Sequence, residues 1–591
     1  RSLGDTSDFS NRVVYEVVNK GTRYNKYWGD LDRWTLDING DTIHNKEIIN
    51  TRQNYYHKPQ FSFRDFWTVN DNFYISNILY ASIGNGGGTK TEGIGNKDGQ
   101  VNLQDAYDGN VAGGMFGPII DPEFSDTEIK TASYLKSSIN NHFWYGGLST
   151  LNYILNDEVS ISGGLDLRYY KGQHYSEVYD LLGGGYTVSS DNETQPSSAK
   201  REGDVIDYHN DGIVKWSGVF SQAEYSNGML SAFLNISGSN SAYKRIDYFR
   251  KKDLVLADTI IRDAIGYSDT LTIYGKDYTI NSSETEYAST DWKWIRGYTF
   301  KTGANLNIDE YNNVFFNTGY ISKAPKFSNI YTRSNTLQEY IRNETVKAIE
   351  GGYSFRSTFF SVNLNAYYTI WENKPANISK TIGQNTYSDV VPMNALHKGI
   401  ELDCSYKISR KLSIEGLLSL GDWKWTSGGE AILLNNSNNA PSFELGNTDL
   451  DTLVYSANGV HVGDAAQTQY GLSIRYEPTY NSYIKLRGTY FADYYSDFDA
   501  ATLNGENSGR ESWVIPSYKL IDMHCGYKFK LSDNYNLDVK LSVLNLFDEI
   551  YISDANNNDG FAGNTSDFDA KSASVFFGLG RRLNLSARLK F

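Results

Sequence analysis

Ala573-Ser-Val-Phe-Phe-Gly-Leu-Gly-Arg-Arg-Leu-Asn-Leu-Ser-Ala-Arg-Leu-Lys-Phe591 closes the chain. Read two residues at a time, one row is Ala573, Val575, Phe577, Leu579, Arg581, Leu583, Leu585, Ala587, Leu589 and Phe591. The opposite row from Asn584 onward is Asn584, Ser586, Arg588 and Lys590. One face is apolar and the other polar, with Arg581 the only interruption. Side chains alternate faces along a strand, so this pattern predicts a single β-strand. It is far longer than the roughly 5–6 residues usual in globular proteins. Such length suits a tilted strand that crosses a bilayer and rises beyond it.

The same alternation recurs upstream. Phe360, Val362, Leu364, Ala366, Tyr368 and Ile370 alternate with Ser361, Asn363, Asn365, Tyr367 and Thr369. Ile161, Leu165, Leu167 and Tyr169 oppose Ser162, Asp166, Arg168 and Tyr170, and Leu537, Val539, Leu541 and Val543 oppose Asp538, Lys540 and Ser542. A soluble sandwich also alternates, so the connections have to decide. Tight, turn-rich links fall near 70–72, 156–158, 226–228, 309–313, 355–358, 409–410, 478–482 and 532–536. Between them lie polar stretches at 84–132, 172–210, 241–290, 326–342, 372–395, 425–466, 495–512 and 551–571. Every second link is short. An up-and-down membrane barrel requires that order, with turns on one rim and long loops on the other. Loops of such length inside a compact soluble domain would count against a soluble assignment. The fold class is therefore an all-β, transmembrane, antiparallel β-barrel, with seventeen strands read along the chain.

Composition agrees. The chain has 591 residues, 53 Gly, 46 Tyr, only 10 Pro and 14% aromatics, with a mean hydropathy of −0.50. No run approaches the ~18 apolar residues of a membrane helix. Several strands end in aromatics (Tyr169–Tyr170, Tyr367–Tyr368 with Trp371, Trp423 and Trp425, Tyr490), which reads as an outer aromatic girdle. The net charge of −15 disfavours nucleic acid. Cys404 and Cys525 read as small apolar filler on strands.

Four segments carry a family resemblance. Leu541-Ser-Val-Leu-Asn-Leu-Phe-Asp548 followed by Glu549-Ile-Tyr551 resembles the N-L-F-D-x-x-Y strand near the end of TonB-dependent outer-membrane receptors. The closing strand with Gly580-Arg581-Arg582 and Phe591 resembles their last strand. Gly319-Tyr-Ile-Ser-Lys-Ala-Pro325 and His397-Lys-Gly-Ile-Glu401 are similar to their mid-barrel segments, and Tyr80–Thr89 to Bacteroidetes members. The resemblance covers about Tyr55 to Phe591. It implies a 22-stranded barrel in the bacterial outer membrane, with an N-terminal plug and a TonB-binding segment. Neither plug nor segment is visible here, no signal peptide is visible either, and Arg1 is not a natural start. The expectation is that residues 1–591 are barrel, that Val13–Val18 is one strand of it, and that plug and first strands lie upstream of residue 1.

No catalytic constellation emerges, and the chain reads as a receptor rather than an enzyme. The eight histidines form no zinc-type pair, and no G-x-S-x-G elbow occurs. His524 and Asp522 share a strand face, as lumen residues would. Gly84–Lys90 lacks the order of a phosphate loop and reads as a flexible outer loop. Asp98 and Asp105, and separately Asp554, Asn556, Asn558 and Asp559, offer oxygen ligands that would suit calcium, though such runs are also ordinary turn chemistry. No other cofactor is expected. Trp292, Trp294, Trp371, Trp423, Trp425 and Trp513 lie on predicted loops and strand tops, where indoles give contact area at low entropy cost. They are the candidate substrate-binding residues. The expected function is TonB-coupled import of a scarce nutrient (metal chelate, cobalamin-like ligand, glycan or peptide). The expected partners are outer-membrane lipid, the inner-membrane TonB complex and, beyond the ligand, a surface lipoprotein. A passive channel or adhesin barrel is the alternative, and a rim hydrolase a third.

Overall fold

The computed structural model describes residues 25–113, 119–332, 335–338, 341–382, 385–432, 434–435, 452–557 and 573–591. Val13–Val18, Asn558 and Asp559 lie outside them. Seventeen long strands follow one another around a barrel: β1 (Gln60–Asn70), β2 (Phe73–Glu92), β3 (Tyr134–Ile154), β4 (Val159–Asp180), β5 (Val205–Ser226), β6 (Leu230–Asp247), β7 (Lys293–Asn307), β8 (Asn312–Lys323), β9 (Glu344–Arg356), β10 (Phe360–Ile382), β11 (Asn385–Lys407), β12 (Leu412–Trp425), β13 (Ala466–Tyr476), β14 (Ser482–Tyr495), β15 (Tyr518–Lys530), β16 (Asn536–Leu544) and β17 (Arg582–Lys590). The order returns from β17 to the segment 54–70. At that seam both strands descend from the long-loop rim. The barrel is closed, and among the described residues the ladders pair β17 with β16 and β1 with β2.

Register sorts the side chains as the alternation requires. Leu537, Val539, Leu541 and Val543 of β16 face Leu589, Ala587, Leu585 and Leu583 of β17, and Asp538 and Ser542 face Arg588 and Asn584. The apolar rows point outward and stay open, Leu585 at 70% and Ile236 at 52%. The inward rows are polar: Asn365 Nδ2 donates to Glu350 Oε1 at 2.9 Å, Lys485 pairs with Glu415 at 2.6 Å, and His524 Nδ1 lies 2.9 Å from Ser542 Oγ. The buried hydrophobic clusters lie beyond the wall, among the long loops and strand tops of the outer rim.

All eight expected short turns are present, and their first polar residue explains why. Asn156 Oδ1 accepts from the N–H groups of Glu158 and Val159 at 2.9 Å. Asp309 Oδ1 accepts from Tyr311 and Asn312 at 2.8 Å, and Ser357 and Ser409 hydroxyls accept from the N–H three residues on. Each side chain closes its own turn.

Four expectations need correction. The closing segment is two strands, because Ala573–Phe577 pairs with Ile552–Asn557 in an outer hairpin and only β17 joins the wall. The break falls where Gly578 lies flat against the Tyr551 ring and the Arg581 N–H donates to Asp548 Oδ1 at 2.7 Å. Residues 372–395 are mostly the paired ends of β10 and β11, not a loop. Gly84–Lys90 belongs to β2, where Tyr55 and Tyr56 pack on Gly86 and Gly87 in space that a Cβ would fill. The girdle divides between faces: Tyr145 and Tyr169 stack outward at 4.9 Å and Tyr298 and Tyr320 at 5.6 Å, whereas Tyr170, Tyr367, Trp371, Trp423 and Trp425 turn inward.

This division predicts the cost of a charge. Ile236→Arg, midway up the outward face of β6, is expected to destabilise the folded barrel in bilayers by about 2–4 kcal/mol, and inward Ser237→Arg by much less. Urea-dependent refolding into vesicles measures both, and equal losses would refute the assignment of faces.

Candidate functional site

Three of the six predicted tryptophans come together on one inward patch at the outer ends of β10, β11 and β12. Trp371 pairs with Ala395, which pairs in turn with Trp425, and one step lower Thr369, His397 and Trp423 align. The His397 ring lies 6.4 Å from Trp371 and 5.6 Å from Trp423. The Trp423 Nε1–H donates to the Tyr367 hydroxyl at 2.8 Å.

A bulge completes the patch. Strict alternation would place Lys374 on the face opposite Trp371. The register slips between Trp371 and Lys374, with Asn373 at φ 57°. Asn tolerates that left-handed conformation better than most residues. Its backbone N–H donates to Asn394 Oδ1 at 2.9 Å and its side chain donates to the Asn343 carbonyl at 3.2 Å, which hold the bulge. Lys374 Nζ thereby comes within 5.3 Å of the Trp371 ring centre and 5.1 Å of the Trp425 ring centre, both within cation–π range. Bulges re-aim side chains in this way. Trp425 is 7% exposed, and its Nε1–H and that of Trp371 have no hydrogen-bond partner among the described residues. Trp425 also anchors the largest apolar cluster, with Met393, Tyr455, Val460 and Leu503. The patch therefore stands on a packed base.

Acidic loops adjoin it. Burial pushes the Asp497 carboxyl above its usual range, and the nearby charge of Asp464 adds to this, while the Phe498 N–H and Lys374 oppose it. Asp464 is raised by burial and then by Asp554. Such a patch offers flat apolar faces and a held cation. It can bind and orient a ligand, and no nucleophile–base pair is among the groups that form it.

The other predicted residues lie elsewhere. Trp292 lines a separate loop cavity. Trp294 is on the outward row of β7, opposite Ala242, with 56% exposure. Trp513 packs against Tyr494, Ile515 and Ile552 as loop filler. Asp105 sits in the first turn of helix α1 (Leu103–Val111), bonded to Asn102, and Asp98 occupies a turn at φ 51°. Asp554 and Asn556 lie on the outer hairpin strand Ile552–Asn557. Among the described residues no group of three or more His, Cys, Asp or Glu side chains is placed to hold a metal ion. Lys374 was invisible to alternation, because only a bulge brings it to this face. Asn373, followed by Lys374 and Pro375, is the one local signal.

Residues 1–546 match the family described as "TonB dependent receptor-like, beta-barrel". The chain belongs to this family, whose members are bacterial outer-membrane proteins. Its fold is similar to "Copper transporter OprC" (TM-score 0.56, 12% identity, 92% of this chain and 66% of that one). It is also similar to the ferric citrate transporter FecA in the unliganded form (0.54, 11%, 91% and 62%) and to the open form of the ferric-catecholate import receptor Fiu from E. coli K12 (0.50, 12%, 92% and 63%). The chain spans just under two thirds of each. No curated protein sequence matches it.

The acid pair makes the outer loops pH-sensitive. A carboxyl raised on folding favours the protonated folded state, so its stabilising contribution is complete below the ordinary carboxylate range and is lost as pH rises through the raised value. Amide exchange at 496–503, corrected for intrinsic rates, is expected to show greater protection at mildly acidic pH than at pH ~8, and Asp497→Asn to flatten the difference. Equal protection at both pH values in the unsubstituted protein would contradict it.

Proposed function

We propose that this chain forms the barrel of an active importer that binds a small nutrient at the cell surface and passes it to the periplasm. No covalent chemistry is involved. A plug inside the lumen would carry the segment on which an inner-membrane TonB complex pulls. The family membership supports this reading, and the observation that carries it is the inward, preorganised patch of Trp371, Trp425 and Lys374 at the outer mouth. A held ammonium between indole faces favours a ligand with planar or apolar surface and at least one acceptor group. Solved structures of similar fold are named for copper, ferric citrate and ferric catecholate, and a metal chelate fits those contacts. Calcium bound at Asp554 and its neighbours, and a surface lipoprotein over the loops, belong to the same proposal. A passive channel lacks coupling to TonB, which separates it experimentally.

The test uses the complete gene. A deletion strain is expected to grow poorly on one limiting nutrient from a panel of iron chelates, corrinoids, glycans and peptides. The full-length gene is expected to restore growth only while the inner-membrane TonB protein is present. Trp371→Ala with Lys374→Ala is expected to raise the half-saturating nutrient concentration about tenfold, a loss of about 1.4 kcal/mol. Restoration without TonB would replace the importer with a channel.

A further inference from the structure

On the lipid-facing wall, two outward rows run side by side from β2 to β7. In the upper row Tyr145, Tyr169, Lys215, Ala242 and Trp294 align strand by strand. In the row beneath, Leu79, Gly147, Leu167, Ser217 and Asn240 align. Bulky rings above and short side chains at Gly147, Ser217 and Asn240 leave a groove of about 660 Å³. Arg168 and Trp216 border it from the inward row, where Asp166 holds the Arg168 guanidinium at 3.0 Å. Tyr145 stands roughly nine residues above the lower end of β3 at Ile154, and Lys215 roughly eleven above that of β5 at Ser226. A strand tilted about 45° climbs about 2.4 Å per residue, so these heights are about 22–26 Å. The outward apolar band of such barrels is about 25 Å tall. The upper row is therefore its outer edge, and the groove lies just inside it.

Free cations gather at that edge. Lys244 lies above Lys215 on the same outward face, opposite Ile213 of β5, and Arg296 of β7 lies opposite Asn240. None of Lys215, Lys244 and Arg296 forms an ion pair among the described residues. Lys215 rests instead over the Trp292 ring, 4.3 Å from its centre. Asp211 and Asp291, at the upper ends of these strands, are already engaged. Asp211 accepts from Lys171 and from the Tyr248 hydroxyl at 2.7 Å each, and Asp291 accepts from Arg262 at 2.6 Å. Further round the outward face, cations have carboxylates beside them: Lys347 meets Glu372 at 2.8 Å and Lys398 meets Asp422 at 3.1 Å. A chain of net charge −15 thus gathers three uncompensated cations above one apolar groove.

We propose that the groove and its cations form a binding site for an outer-leaflet lipid whose headgroup bears phosphate and is net anionic. The acyl chains lie in the apolar groove, and the phosphate lies against Lys215, Lys244 and Arg296 above it. Lysine offers phosphate a point charge, and arginine offers it a planar fork of donors. A neutral or zwitterionic headgroup would leave the patch with its net positive charge. Either a glycerolipid or a saccharolipid can carry such a phosphate. The site depends on the outward face of the wall and not on coupling to TonB. Its failure leaves the importer reading standing, and the growth test above judges that reading separately.

The experiment titrates lipids one at a time into the full-length protein in neutral detergent and counts bound copies by native mass spectrometry. The probes are phosphatidylglycerol against phosphatidylcholine, and a diphosphorylated saccharolipid against the same molecule without its phosphates. Inorganic phosphate is the fifth probe. At least one anionic lipid is expected to bind at least tenfold more tightly than its comparison lipid, and which one does so identifies the frame that carries the phosphate. Lys215→Gln, Lys244→Gln and Arg296→Gln together are expected to abolish the preference, and Lys347→Gln to leave it unchanged. Ser217→Phe fills the groove floor and is expected to weaken the preferred lipid at least tenfold with all three cations in place. Equal affinity for anionic and comparison lipids in the unsubstituted protein would overturn the site. So would a preference that survives the triple substitution, undiminished affinity in Ser217→Phe, or inorganic phosphate bound as tightly as the lipid.

Discussion

The bilayer interior offers no hydrogen-bond partner, and the rest of the structure follows from that constraint. Every backbone N–H and C=O at membrane depth has to be satisfied within the protein, which for strands means long, unbroken ladders. The ladders here run up to twenty or more residues, as in β3, β4 and β5. With the backbone committed to neighbours around the wall, the period-two geometry leaves each strand one row for lipid and one for the lumen. Leu, Ile, Val and Phe take the first, and Asn, Glu, Lys and Arg take the second. The wall therefore needs no core of its own, and the buried clusters are found above it instead.

That displacement of the core shapes the ligand-facing end. The long connections pack on one another around Trp425, Tyr455 and Met393, and around Leu254 and Ile265, so they are folded units rather than slack loops. Binding groups mounted on such units are held in place before a ligand arrives, which lowers the entropy lost on binding. The bulge at Asn373 applies the same economy to the wall. One extra residue breaks the alternation, and a lysine meets two indoles on the lumen side.

Much of this was written into the sequence because lipid imposes a simple rule on it. Strand faces, the eight short turns and the strand count follow from alternation and from Asn, Asp and Ser at turn starts. These are local signals. The closing segment misled because Ala573–Phe577 keeps the phase of β17 while pairing with a different strand, and alternation carries no information about partners. The outer ends of β2, β10 and β11 read as loops because, above the membrane, neither face needs to be apolar. The site was half legible. Trp371, Trp423 and Trp425 are visible as tryptophans at strand tops, but Trp294, equally visible, turns outward because it is one residue out of phase with Lys293 and Ile295. Lys374 depends on a register slip, which leaves no periodic trace.

The assignment of faces is tested most directly by nitroxide labels placed one at a time along β6 from Phe233 to Ile236, in bilayers. Collision rates with oxygen, which concentrates in lipid, should peak at Leu234 and Ile236, and those with a water-soluble nickel chelate at Phe233 and Asn235, in opposite phase. Rates without period two, or the reverse phase, would contradict the account.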